Sequence, residues 1–253
     1  QRRQLQKTEK AFEQSMVQVR NVMAKIGSRP LQAVDEASEL VSRIADTIIN
    51  ADALVLHLIS QTGKEQESLE TLQALAATGE YAAFIFEPLV QGAAGMVMYA
   101  PEALDPLIAV CKLHGVFTIA DEVMTGFGKT GKTFACDYLT QQPDMMCLSK
   151  ALTGGTIPMA ITTFTQQIFD GFYSDDVNKA LFHGHTFTAN PTGCAAALAS
   201  LDLLFTDDMQ ANLVRVNAQH LAFKDKVAQH PRVKTARVLG VIFALEITRE
   251  GKE

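Results

Sequence analysis

From about residue 69 the chain alternates helix-period apolar patterns with short, unbroken apolar runs. "LETLQALAAT" (69–78) spaces its apolar residues by three and four, which predicts a helix. "AAFIFEP" (82–88) is too short for a helix and reads as a strand. "EALDPLIAVCKLHG" (102–115) is a second helix closed by glycine, and "VFTIADE" (116–122) the next strand. "DMMCLSK" (144–150) and "MAITTFT" (159–165) repeat the pattern of an apolar run with a polar end. Strands alternating with helices predict βαβ units and a mainly parallel sheet buried on both faces. "NPTGCAAALASLDLLF" (190–205) follows a proline-bearing turn as a long helix, and 232–253 reads as a strand or hairpin.

Residues 1–60 follow a different rhythm. Leu5, Phe12, Met16, Val19, Met23 and Ile26 form an apolar stripe on one helical face, stopped by Gly27 and Pro30. A second stripe runs through Val34, Ala37, Val41, Ile44 and Ile48, and Asn50 or Asp52 caps a third helix, "ALVLHLIS". His57, among aliphatic neighbours, reads as a core or boundary histidine rather than a ligand. "QTGKEQES" (61–68) has the polarity of a linker. The expected organisation is therefore a helical segment at 1–62, a junction at 63–68 and an α/β domain at 69–253.

Composition narrows the function classes. A 47% hydrophobic and 20% charged chain of 253 residues is ordinary for a globular protein. The net charge of -6 and the lack of a basic stripe argue against a nucleic-acid binder. Basic and acidic groups balance over residues 1–67, so the excess negative charge lies after them. Cys111, Cys136, Cys147 and Cys194 are widely spaced without a CxxC pair, which predicts reduced thiols and neither zinc ligation nor disulfides. No signal-peptide h-region is visible in "QRRQLQKTEK" and no run of about 18 apolar residues exists. A cytoplasmic protein with small-molecule partners, no nucleic acid and no membrane is expected.

Three successive strand candidates end in an ionisable residue: Glu87 after "FIF", Asp121 after "FTIA" and Lys150 after "MMCLS". Ligands of open parallel sheets bind outside the carboxyl ends of the strands, so these groups would line one crevice. Each alone could be a solvated strand-end charge. Together they suit a particular chemistry. A lysine desolvated or near other positive charge sheds its proton and forms a Schiff base with an aldehyde. An aspartate opposite can hold a pyridine nitrogen protonated, the division of labour in pyridoxal phosphate enzymes. His183 and His185 lie two apart with no third ligand in view, so no metal site is expected. "TGG" (153–155) reads as a turn before Pro158 rather than a phosphate cradle.

The wording of the motifs carries a family resemblance. "FEPLVQGAAGMVMYAPEAL" (86–104), "ADEVMTGFGKTGKTFACDY" (120–138), "CLSKALTGG" (147–155) and "HGHTFTANPTGCAAA" (183–197) resemble, in order, the signatures of class III aminotransferases. That resemblance implies the type I aminotransferase fold, pyridoxal 5'-phosphate as cofactor and a homodimer with a shared active site. It makes Lys150 the Schiff-base and proton-transferring lysine, Asp121 the partner of the pyridine nitrogen and Val123 the aliphatic residue under the ring. Thr186 and the amide of His185 would reach the cofactor phosphate of the neighbouring subunit. Gly184 would contact substrate through its backbone, and Glu87 is similar to an acid near the family's active site.

"VQGAAGM" and "DEVMTGFG" are most similar to the biotin-synthesis branch, implying ping-pong amino transfer from S-adenosylmethionine to 8-amino-7-oxononanoate. Another ω-aminotransferase or an aminomutase remains open, as does a helical signalling segment fused to an inactive remnant. Lys129 stands where many members have arginine, a point charge in place of a planar fork, with only a local effect expected. The family's own-subunit phosphate loop, its ring-stacking aromatic and its C-terminal substrate arginine have no counterpart in this sequence. Residues 1–62 more loosely resemble the helices preceding the metal-binding core of HD-GYP phosphodiesterases, without a His-Asp motif.

Overall fold

The structure is a computed structural model and describes residues 65–248. The helices expected over 1–60, with His57, lie outside the described residues.

Helix α1 (Glu65–Ala76) starts inside the stretch expected to be linker. Glu65 and Glu67 meet the positive end of the helix, and Gln66 donates to Glu70 one turn on at 2.8 Å. These local contacts extend the helix upstream of its apolar positions. Strand β1 (Ala83–Phe86) follows, then a small antiparallel pair, β2 (Val90–Gln91) and β3 (Val97–Met98). Helix α2 (Pro101–Leu113) begins on a proline whose fixed φ suits the first helical position. It buries Leu104, Leu107, Ile108 and Cys111, a spacing of three, one and three that defines one face. Gly115, at φ 71°, turns the chain out of it.

Strands β4 (Phe117–Asp121) and β5 (Met145–Leu148) complete a parallel set with β1, and β6 (Ile161–Phe164) joins β5 antiparallel, in the order β1-β4-β5-β6. The sheet is thus mainly parallel, as expected, with one reversed edge. Burial departs from expectation. Phe84, Phe86, Thr118 and Ala120 share one face and are buried with α1 and α2 in the principal core. Ile85, Phe117, Ile119, Met145 and Cys147 face the other way and are only half-buried. Period-2 geometry puts alternate residues on opposite faces, and among the described residues only one face is fully covered. The unbroken apolar runs signalled two covered faces; the described residues cover one fully and the other in part.

Helices α3 (Gln166–Phe172), α4 (Pro191–Leu204) and α5 (Asp207–Val227) and the hairpin of β7 (Val233–Leu239) with β8 (Ile242–Ile247) complete the described chain. Asn190 caps α4 by accepting from Gly193 N–H at 2.7 Å. Thr206 caps α5 by accepting from Met209 N–H at 3.3 Å. The α5 helix lies against the hairpin, where His220 and Phe223 both meet Phe243 with ring centroids 5.6 Å apart. No described helix is long and apolar enough to cross a membrane.

Candidate active site

Parallel pairing puts the carboxyl ends of β1, β4 and β5 on one edge, with Phe86 opposite Ala120 and Asp121 opposite Cys147. Glu87, Asp121 and Lys150 therefore issue from three adjacent strand ends. Residues following an apolar strand must find polar partners or water, and each of the three does so differently.

Asp121 closes β4 on the half-buried face. Its Oδ1 accepts from Val123 N–H at 3.0 Å, which fixes the carboxylate rotamer. No described residue donates to Oδ2, so that oxygen is available to a ligand. Glu87 is engaged instead: its Oε2 accepts from Gly92 N–H at 2.7 Å, and its carbonyl accepts from the Tyr99 hydroxyl. Burial pushes the Tyr99 hydroxyl far above its ordinary range. A Cβ on Gly92 would stand 2.6 Å from Met124 Sδ and 3.3 Å from Glu87 Oε2. Gly92, just after β2, thus packs against side chains from the segments that follow β1 and β4.

Lys150 opens a short 3-10 turn (Lys150–Thr153) at φ 45°, a left-handed conformation unusual for a lysine. The turn is held from both sides. Ser149 Oγ donates to Met159 O at 2.8 Å, and Ser200 Oγ of α4 donates to Ala151 O at 3.1 Å. Phe127, Leu148, Leu152 and Ala197 form a second apolar cluster that brackets the lysine in sequence. The lysine itself is exposed rather than sunk in the strand mouth, and no described residue accepts from its Nζ. Its charged neighbour is Lys129. Burial holds the Lys129 ammonium below the ordinary lysine range, and the Lys150 charge pushes the same way. The Lys129 and Lys150 charges are thus close enough to interact. Gly154 and Gly155, at φ 61° and 79°, form the expected turn.

The 183–188 loop is separate. Gly184, His185 and Thr186 are all exposed. The His185 amide donates to Thr188 Oγ1 at 2.9 Å, and its Nδ1 accepts from Phe187 N–H at 3.1 Å. These bonds are internal to the loop, and nothing joins it to Lys150 or Asp121 among the described residues.

One residue escaped the sequence reading. Glu122 is fully buried, its Oε1 accepting from Cys136 N–H at 2.7 Å and its Oε2 from Thr125 Oγ1 at 2.5 Å. The one available signal was its place directly after Asp121: alternate residues point to opposite faces, so one of the two acids had to point inward. Burial of the Cys136 thiol, and then the Glu122 charge, push that thiol well above the ordinary range.

The class III aminotransferase family profile matches residues 33–253. The chain belongs to the class III aminotransferase family. This family is pyridoxal phosphate-dependent. An adenosylmethionine-8-amino-7-oxononanoate aminotransferase from Synechococcus elongatus is 46% identical over 187 residues, covering 74% of this chain and 44% of the relative. The protein of the same name from Nitratidesulfovibrio vulgaris is 44% identical over 68% of this chain and 32% of its own length. Among solved structures, that from Methanocaldococcus jannaschii superposes with TM-score 0.67 at 33% identity, covering 72% of this chain and 43% of the other. A Thermomicrobium roseum (S)-enantioselective omega-transaminase gives 0.66 at 31% identity over 75% and 44%. The chain spans less than half the length of these class III aminotransferases.

The residues present fit part of the family's cofactor. Asp121 offers one uncommitted carboxylate oxygen at a strand end, suited to a protonated ring nitrogen. Lys150 offers an accessible amine beside a second ammonium, suited to an aldehyde.

Proposed function

We propose that this chain carries the lysine-bearing part of a pyridoxal phosphate aminotransferase. Its amino donor is S-adenosylmethionine and its acceptor 8-amino-7-oxononanoate, giving 7,8-diaminononanoate. The reading rests chiefly on 46% identity over 187 residues to a relative named for those substrates. Among solved structures, the one with that name is 33% identical and the omega-transaminase 31%.

When bound, the cofactor would supply an electron sink for the carbon that loses its proton. The chain's residues would do the rest. Lys150 Nζ would hold the aldehyde carbon and later move a proton between substrate and cofactor carbons. Asp121 would keep the ring nitrogen protonated through Oδ2, with Oδ1 tethered to Val123 N–H. Val123 would support the ring from below. His185 and Thr186 would serve the phosphate of a neighbouring subunit, with Gly184 at the substrate, and Glu87 would shape the crevice through Gly92. That sharing makes the working form a homodimer, placed in the cytoplasm.

The test is spectroscopic. Pyridoxal 5'-phosphate added to the folded chain should give a visible band, and borohydride should fix the label on Lys150. Lys150→Ala should lose both, and S-adenosylmethionine should bleach the parent's band. A well-folded parent with no band would sink the reading for this chain on its own.

A further inference from the structure

Glu122 raises a question that the proposed chemistry does not answer. A carboxylate with no exposure is costly to bury unless fully hydrogen-bonded. Four hydrogen bonds meet at this residue. Its carboxylate accepts from Cys136 N–H and the Thr125 hydroxyl. Its backbone N–H donates to Cys147 O at 3.0 Å, and its carbonyl accepts from Gly126 N–H at 2.9 Å. One residue therefore ties the end of β4 to β5, three residues before Lys150, and to both ends of the 125–136 loop.

That loop has no helix or strand before Ala135 and is otherwise held by isolated bonds, such as Gly128 N–H to Thr133 O and Val241 N–H to Lys129 O. It runs through left-handed Phe127, Gly128 and Gly131. It nevertheless carries Phe127 onto Leu148 and Leu152, on either side of Lys150, and it carries Lys129. Close packing at its root leaves no slack, since a Cβ on Gly126 would lie 2.9 Å from Glu122 O. Asp121, one residue earlier, points to the opposite face, so the peptide between the two acids is fixed from the interior side by Glu122.

We propose that Glu122 is a positioning residue that sets the spacing of Asp121 and Lys150. It acts by clamping the 125–136 loop and β5 to the end of β4. An apolar residue there would leave Cys136 N–H and the Thr125 hydroxyl without acceptors in the interior. Shape and hydrogen bonding carry the effect, so a glutamine, which still accepts from Cys136 N–H, should preserve it.

The inference rests on the proposed function, and its test uses the full chain with Glu122→Gln and Glu122→Ala. With pyridoxal 5'-phosphate as probe, the rate of reducible labelling at Lys150 should fall about tenfold in Glu122→Ala, at a temperature where circular dichroism shows it folded. Glu122→Gln should restore the rate and the parental pH midpoint of the visible band. A folded Glu122→Ala with parental rate and midpoint would overturn the inference, leaving Glu122 a stabiliser only. Should the parent itself take no label, the functional reading fails, and amide exchange without cofactor decides about Glu122. Exchange in Glu122→Ala should quicken at 123–136 and 147–150 and stay unchanged in β1 and α2. Uniform acceleration, or none, would overturn the clamp.

Discussion

At the scale of single residues, the interior thiols give the protein a one-sided response to alkali. Burial pushes Cys111 up to about 12 from 9.0. Below the lower value the thiol is protonated whether the chain is folded or not, and it contributes no pH dependence. Between the two values only the unfolded chain releases the proton, so stability falls as pH rises, by up to about 1.4 kcal/mol per pH unit. Denaturant melts between pH 9 and 12 should show this loss, and Cys111→Ala should flatten it while costing stability at neutral pH. The strand-end placement of Asp121 and Lys150 was legible because apolar runs point at strand ends. Glu122 was not, because burial of a charge is decided by donors at 125 and 136 that no local pattern announces.

At the scale of elements, legibility followed burial. The helices with a buried face in register with their apolar residues, α1 and α2, could be read directly. The α5 helix buries none of its 21 residues, so it offers no stripe to read and its existence rests on its cap and on the hairpin. The reversed direction of β6 is likewise invisible in "ITTF", since strand polarity is set by the connection and not by composition. The hairpin holds its place through its turn. Val241 N–H donates to Lys129 O at 2.9 Å, and Gly240 sits at φ 57° against the same loop. An added Cβ there would lie 2.3 Å from Thr130 C and 2.5 Å from Gly131 N, both backbone atoms. Gly240→Ala should therefore cost about 3 kcal/mol, from left-handed strain and overpacking together, read as a lowered denaturant midpoint.

At the scale of the whole molecule, the exposed apolar side chains among the described residues are concentrated after residue 160. All four residues of β6 are exposed, and Phe164, Phe169, Phe172, Phe182 and Phe187 all remain at least 41% accessible. The free edge of β6 adds unpaired backbone groups to this surface. Exposed aromatic side chains beside an edge strand favour self-association. Light scattering of the isolated chain should therefore rise with concentration, and Phe164→Lys, placing a charge on the open edge, should lower it. Scattering insensitive to that substitution would show that β6 is not where chains meet. The fold class came through in the sequence because it depends on alternation over long stretches. The half-covered sheet did not, because coverage depends on what lies beside a strand in space.

The left-handed backbone at Lys150 has a consequence for how this sequence would drift. A non-glycine residue held there costs roughly 1–3 kcal/mol, which the amine would offset only through the proposed chemistry. Lys150→Gly should fold more stably than the parent, seen as a higher melting temperature, while taking no cofactor label. A library screened for foldability alone would then empty this position of lysine, whereas one screened for bound cofactor would keep it. The composition at residue 150 in two such libraries would record whether the chain's reason for existing is chemical or merely architectural.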